Sequence, residues 1–309
     1  MYRLGRRKKA ASTLLTMMVA SVFLLHSWDV SLPHTKLSES RDCACRKCLT
    51  EGDPWFQEMI SSSPHPFLSK DHNTSENDFK WWRRLQPGRG NFKHYNSILD
   101  KLFEVIPPTP GVVRPSPRRC RTCAVVGNSG NLIGSHYGSL IDGHDIVIRM
   151  NKGPTEGFEA DVGNKTTHRV MYPHSAVKLD NSSRLVFFAY KINDLMWLQK
   201  QFDPNTDRIA NKDLVMILNP AFIRYVHEAW LQKKGHYPST GFITIALSLQ
   251  ICDEVSIFGF GADKRGSWNH YFEKIKKKRF KTGQHAGNQE HTVIEKLHSK
   301  EKIQVFVPQ

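Results

Sequence analysis

From Cys120 onward the chain alternates short apolar runs with amphipathic stretches. Runs at 124–127, 146–150, 184–189, 214–218, 255–260 and 303–307 predict strands. They are almost continuously apolar, as strands covered on both faces are. Residues 221–234 place Phe222, Val226, Ala229 and Trp230 on one helical face, and 241–251 and 291–299 predict two further helices. Upstream, Trp81, Trp82 and Leu85 begin a short amphipathic stretch. Another runs over 95–105 with Ile98, Leu99, Leu102 and Phe103, until Pro107, Pro108 and Pro110 stop it. Strands alternating with helices argue an α/β domain on a largely parallel sheet. No internal repeat is visible. Residues 29–75 lack sustained periodicity and read as a stem.

The first apolar run is of another kind. Residues 10–25 are apolar or small and follow Arg3, Arg6, Arg7, Lys8 and Lys9 with no acid between. Sixteen helical residues span about 24 Å, short of the usual ~20 residues. With His26, Ser27 and Trp28 at the interface they can cross a thin bilayer. The basic residues hold the N-terminus in the cytosol, so the expected order is a tail at 1–9, a signal anchor at 10–28, a stem at 29–75 and a lumenal domain at 76–309. A cleaved signal peptide is the competing reading, but its small-x-small site at Val19-Ala20-Ser21 lies inside the apolar run. Sequons at Asn73, Asn164 and Asn181 agree with a lumenal address. The six cysteines, Cys43, Cys45, Cys48, Cys120, Cys123 and Cys252, suit disulfides there, with a zinc cluster as the alternative.

Candidate chemistry begins where a strand runs into Gly127-Asn128-Ser129-Gly130-Asn131, a turn able to offer N–H groups to an anion. Its glycines, Gly127, Gly130 and Gly134, are not spaced as a dinucleotide fingerprint, and an ordinary tight turn reads as well. A second anion-capable turn is Tyr237-Pro238-Ser239-Thr240-Gly241, where Ser239 or Thr240 caps the helix that follows. The chain contains no Asp-x-Asp, the paired carboxylates with which many nucleotide-sugar enzymes hold a divalent cation. If the substrate is a phosphorylated donor, protein groups must neutralise its leaving phosphate. His270 and His285 are the obvious supply, since imidazole titrates near neutrality; each alone reads more readily as a surface histidine.

Together these stretches resemble the eukaryotic sialyltransferase family. Its large motif is recognisable in CAVVGNSGNLIGSHYGSLIDGHDIVIRMNK at 123–152, running on to DVGNKTTH at 161–168 and Met171-Tyr172-Pro173. Its small motif is similar to HYPSTGFITIALSLQICDEVSIFGFGA at 236–262. The third matches His270-Tyr271-Phe272-Glu273, and the very small motif, His-x4-Glu, fits His285 to Glu290. All four stand in order, and the likeness covers roughly 81–309. Within the family the chain most resembles the β-galactoside α-2,3-sialyltransferases that act on Gal-β1,3-GalNAc, on the strength of Cys43-Ala-Cys45-Arg-Lys-Cys48, Trp81-Trp82-x-x-Leu85-Gln86-Pro87 and Asn219-Pro-Ala-Phe222.

That resemblance implies a type II Golgi membrane enzyme with a modified GT-A-like, Rossmann-type α/β domain. It would transfer sialic acid from CMP-sialic acid, without a metal or other cofactor, to galactose-terminated O-glycans or glycolipids. It implies donor contacts from Asn128 and Asn151 near the phosphate, and from Ser239, Thr240, Gly241 and Gly261 around the nucleotide. Gln86 and Tyr237 would meet the sugars, His270 the leaving phosphate, and His285 would be the general base. Disulfides would pair Cys43–Cys48, Cys45–Cys120 and Cys123–Cys252. The chain departs from the pattern at Asn269 and Phe272, where close relatives have His and Trp. It departs again in HAGNQE, which lacks an acid after its histidine, and in a shortened stretch between Trp197 and Asn219 without an acceptor-side tyrosine. These departures leave acceptor preference open.

Charge changes less than it first suggests. Forty-four basic against 29 acidic residues give +15, which invites a nucleic-acid reading. Five of those charges lie in residues 1–9. Six more, Lys274, Lys276, Lys277, Lys278, Arg279 and Lys281, cluster between the two motif histidines, and removing both groups leaves +4. The cluster is either a lid that attracts an anionic donor or a solvated loop. A nucleic-acid partner is not expected of an anchored lumenal chain. An NAD-dependent oxidoreductase has the wrong glycine spacing, and a glycan-binding protein with decayed chemistry would have lost the histidines and asparagines that this chain keeps.

Overall fold

In the computed structural model, residues 44–46, 49, 52–111, 114–263, 266–274 and 284–307 are described. The proposed anchor, Cys43, Cys48 and most of the basic cluster after Lys274 lie outside them. Among the described residues no helix is long and apolar enough to cross a membrane.

Seven parallel strands form one sheet in the order β5-β4-β3-β2-β1-β6-β7. They are β1 (Thr122–Val126), β2 (Ile146–Met150), β3 (His168–Met171), β4 (Arg184–Phe187), β5 (Val215–Ile217), β6 (Glu254–Phe258) and β7 (Gln304–Phe306). The chain enters at the middle, steps outward from β1 to β5, then returns across the sheet to add β6 and β7 on the other side of β1. Alternate residues of each strand face opposite layers. In β1, Cys123 and Val125 join the larger apolar core, while Ala124 and Val126 join a smaller one with Leu132, Ile141, Phe258 and Tyr271.

The helices, in chain order, are α1 (Pro54–Ser61), α2 (Glu76–Trp82), α3 (Phe92–Leu102), α4 (Gly138–Asp142), α5 (Glu159–Val162), α6 (Ile192–Lys200), α7 (Pro220–Tyr225), α8 (Thr240–Ile251) and α9 (Gly287–Ser299). The helix α8 packs across β1, β2, β3 and β6 and is buried on nearly every side. Two of its hydroxyls are satisfied within the helix, Thr244 Oγ1 donating to Thr240 O at 2.7 Å and Ser248 Oγ to Ile245 O at 2.7 Å.

All six strands expected from sequence are present, and β3 is added to them. The helix expected over 221–234 is shorter. After α7 it widens into a π turn at Val226–Trp230, then ends where Gln232 and Lys233 take positive φ values of 53° and 61°. Residues 54–69, read as stem, belong to the fold: Asp53 caps α1, and Phe56, Met59, Phe67 and Leu68 are buried in the core. The apolar face of so short a helix is two residues wide, too little for a periodicity to show.

Disulfides join Cys45 to Cys120 and Cys123 to Cys252. The second spans 129 residues, a closure worth roughly 5 kcal/mol of chain entropy in the loop-closure treatment. Asn73, Asn164 and Asn181 are all exposed.

Candidate functional site

A cleft of about 550 Å³ opens at the carboxyl ends of β1, β2 and β6. Strand order reverses there, between β1, which leads outward to β2, and β6, which leads outward to β7, the usual ligand position in an open parallel sheet. Asn128, Asn151, Tyr237, Ser239, Thr240, Gly241, Gly261, His270 and His285 all line it, although they are scattered over 158 positions of sequence. Gln86 is not among the lining residues; its Oε1 accepts from Lys191 Nζ at 3.1 Å.

The turn after β1 meets the turn after β6 back to back. Gly127 N–H donates to Phe258 O at 2.7 Å and Ser129 N–H to Gly259 O at 3.1 Å. A Cβ on Gly127 would lie 2.2 Å from Gly259 O, so the approach admits no side chain. The turn continues only into a 3-10 turn at Gly130–Leu132, whose first hydroxyl, Ser129 Oγ, donates to Gly261 O at 2.7 Å. Of the two anion-capable turns, only the one at Ser239 therefore opens a full helix.

Segment 269–271 runs along the outside of the same turn. Gly130 N–H donates to Asn269 O at 2.6 Å, Tyr271 N–H donates to Asn128 O at 2.9 Å, and Ser129 pairs with His270 as an antiparallel bridge. His270 is thereby set beside Asn128. Its Nδ1 lies 3.0 Å from Glu273 Oε2 and its ring stacks on Phe272 at 5.3 Å, leaving Nε2 on the opposite edge of the ring. Tyr271 points inward and donates to Pro154 O at 2.6 Å; burial, against the nearby charges of Arg149 and Arg169, pushes its phenol up to about 12.

At the start of α8, Ser239 caps the helix by accepting from Phe242 N–H at 3.1 Å. Thr240 and Gly241 N–H have no hydrogen-bond partner among the described residues and face the cleft at the positive end of the helix. Glu290 reaches back from α9 to this cap. Its Oε1 accepts from Ser239 N–H at 2.7 Å and its Oε2 from Ser239 Oγ at 2.6 Å. Glu290 is buried, and burial raises its carboxyl from the ordinary value while Ser239 and His285 act to lower it. It is the sole acid lining the cleft among the described residues.

His285 stands beside it. Its Nδ1 is 3.1 Å from Tyr237 O, so a proton on Nδ1 is donated to that carbonyl and Nε2 becomes the acceptor. The ring closes an aromatic series in which Tyr172, Tyr190, Tyr237 and His285 follow with centroids 5.7, 5.1 and 5.0 Å apart. The cleft thus holds a proton acceptor, a proton donor and a helix N-terminus around an empty volume of monosaccharide-to-nucleotide size, a set suited to group transfer from an anionic leaving group. Sequence reasoning assigned no role to Tyr172, Trp268, Phe260 or Glu290, all of which line the cleft. Glu290 was visible as the last letter of a motif, but its partner Ser239 lies 51 residues away.

Comparison with known proteins agrees with this geometry. Residues 67–302 match the model of glycosyltransferase family 29 (sialyltransferase). The chain is 40% identical to the CMP-N-acetylneuraminate-beta-galactosamide-alpha-2,3-sialyltransferase 1 of Sus scrofa, over 97% of this chain and 98% of that one. It is 39% identical to the corresponding enzyme 2 of Mus musculus, over 86% and 80%. A crystal structure of a mammalian sialyltransferase in complex with Gal-beta-1-3GalNAc-ortho-nitrophenol superposes with a TM-score of 0.73 at 40% identity, covering 86% of this chain and all of that one.

Proposed function

The chain belongs to glycosyltransferase family 29, the sialyltransferases, and from that premise we propose that it transfers sialic acid from CMP-sialic acid to the galactose 3-hydroxyl of Gal-β1,3-GalNAc. The observation that carries the reading is the convergence of four separated motifs on one cleft. His285 Nε2 takes the proton of the 3-hydroxyl as its oxygen bonds to the anomeric carbon. The bond from that carbon to the phosphate oxygen breaks, and its electron pair leaves with CMP. Attack from the face opposite CMP turns a β-linked donor into an α-2,3-linked product.

The anomeric carbon is quaternary, so the transition state has oxocarbenium character, and alignment and charge handling matter more than a covalent nucleophile. His270 Nε2, held from behind by Glu273, donates to the leaving phosphate with Asn128 and the N–H groups of Thr240 and Gly241. Glu290 supports the imidazolium that forms on His285. The donor set favours a metal-free reaction, because both oxygens of the cleft's carboxylate are engaged by Ser239. Gly261, Phe260 and Gly241 would surround the nucleoside, and Tyr237 and Gln86 the acceptor sugars.

The domain fits a modified GT-A-like class, and the basic N-terminus with its apolar run fits a type II Golgi enzyme whose domain is lumenal. Glycolipids with the same terminal disaccharide are further acceptors on this reading. The test is to incubate the lumenal domain with CMP-sialic acid, with and without a chelator, and an acceptor panel, then determine product linkage. An α-2,3 product on Gal-β1,3-GalNAc, made equally well in chelator, is expected. Another linkage, no transfer to that disaccharide, or loss of activity in chelator would refute the corresponding element. Protease protection of the full chain in sealed vesicles, lost when residues 1–28 are replaced, tests the topology.

A further inference from the structure

Arg149 of β2 and Arg169 of β3 are direct cross-strand neighbours, 1% and 8% exposed. Among the described residues neither forms an ion pair with an acid. Like charges opposite one another in a sheet are unfavourable, and buried cations without a carboxylate are more so. A local violation of this kind points to a functional role.

Most of the hydrogen bonds of the two guanidinium groups go to backbone carbonyls, while Arg149 Nη1 and Arg169 Nε are buried without a partner among the described residues. Arg149 donates to Val162 O, Lys165 O and Thr166 Oγ1, in the segment that leads into β3. Arg169, projecting from the same face as its register partner, reaches instead the turn that follows β2. Its Nη1 lies 2.9, 3.1 and 3.3 Å from the carbonyl oxygens of Asn151, Lys152 and Gly153, the turn at the end of β2. Asn151 has φ 55°, in the left-handed region that asparagine enters more readily than other residues with a Cβ. Its Oδ1 accepts from Ser175 Oγ at 2.7 Å, which directs the amide nitrogen to the cleft. The turn also touches Asn128, because a Cβ on Gly153 would lie 2.9 Å from Asn128 Oδ1.

We propose that Arg169 is a positioning residue for the donor: its guanidinium gathers three carbonyls of the 151–153 turn, so that Asn151 presents its amide nitrogen to the anionic part of CMP-sialic acid. The inference rests on Asn151 belonging to the donor site. All three contacts are made by one nitrogen, Nη1, whose N–H bonds are fixed in the guanidinium plane, whereas the donors of an ammonium rotate at the end of a flexible stem and would not hold the same directions.

The experiment measures CMP affinity by calorimetry and donor and acceptor KM for Asn151→Ala, Arg169→Lys and Arg169→Met. Arg169→Lys is expected to weaken CMP and raise the donor KM about tenfold, as small misplacements do. The acceptor KM should stay within about twofold of the parent. Arg169→Met should weaken CMP at least as much; if it fails to fold, Arg169→Lys decides. Weakened CMP in Asn151→Ala beside parental CMP affinity in Arg169→Lys overturns the positioning role and keeps the donor site. Parental affinity in both overturns the donor-site assignment and this inference with it. Donor and acceptor constants rising together would also overturn it, since a general loosening of the fold moves both.

Discussion

Glu290 offers a perturbation whose effects on folding and on chemistry separate. Its carboxylate accepts two hydrogen bonds from Ser239, and hydrogen bonds to charged groups contribute about 1.5–3 kcal/mol each. Glu290→Ala removes both and leaves the Ser239 N–H without its partner, while cleft water recovers part of the loss. The expected destabilisation is about 3 kcal/mol. For a domain of this size that lowers Tm by roughly 6–12 °C. Glu290→Gln behaves differently. Its carbonyl can keep the Ser239 N–H, and its amide can donate to Ser239 Oγ, which has a lone pair left beside the one that accepts Phe242 N–H. The negative charge is lost, but so is its desolvation penalty, so stability should change by less than about 1 kcal/mol. What disappears is the charge supporting His285 as it takes a proton, an effect of about 1–2 kcal/mol or roughly tenfold in kcat. Thermal melts and steady-state kinetics on both variants measure this. A glutamine variant with parental kcat would refute the electrostatic role, and one as unstable as the alanine variant would refute the hydrogen-bond accounting.

Three other outcomes follow from the same geometry. His285→Ala should lower kcat by about 10²–10⁴ while CMP affinity, measured directly, stays within about tenfold; full activity would remove His285 as base. Gly241→Ala places a Cβ 3.0 Å from Phe260 Cε1 and 3.6 Å from Met150 Sδ, at a helical position with no positive φ. It should melt within about 0.5 kcal/mol of the parent, because alanine favours helix, yet raise the donor KM several-fold; unchanged donor kinetics would place the nucleotide elsewhere. Asp253 is 4% exposed, and although burial pushes its carboxyl up, Arg119 and the N–H groups of Ser116 and Arg121 bring it below the ordinary value. A depressed carboxyl contributes stability above its unfolded value near ~3.9 and loses it as pH falls through the folded value. Asp253→Asn should therefore lower stability by about 2 kcal/mol at neutral pH, with the gap to the parent closing below pH ~3.9. A gap that persists in acid would refute the linkage.

The strands were legible because a parallel sheet covered on both faces favours apolar runs, and 146–150, interrupted only by Arg149, is matched to the residue by β2. The strand β3 was not, since His168 and Arg169 interrupt its apolar character; burial lowers the His168 imidazole to about 4 and keeps it neutral there. Arg169 shows why: a charge that reads as surface in sequence is held inside by carbonyls of a turn sixteen to eighteen residues away. Site residues on the first and last motifs were legible as types, His285 above all. Their mutual geometry was not, because Ser239 with Glu290 and Asn128 with Tyr271 are pairings between segments far apart in the chain that no local spacing encodes. The widening of α7 into a π turn likewise depends on where the chain must go next, toward Gly235, whose carbonyl lies 3.1 Å from His227 Nε2.

The central position of β1 has a consequence for biogenesis. One edge of β1 is covered as soon as β2 emerges, but the other waits for β6, whose residues follow more than a hundred positions later. At ordinary synthesis rates that interval is about ten seconds or more, during which an apolar strand edge is open to chaperones and to other chains. Cys252 arrives immediately before β6 and lies beside Cys123 of β1 in the finished fold. Oxidation of this pair is then a chemical record that the late strand has been threaded into the middle of the sheet. Until β6 has been made, the turn at Gly259–Gly261 that lines the cleft is missing as well, so the cleft and the partner of Cys123 arrive together.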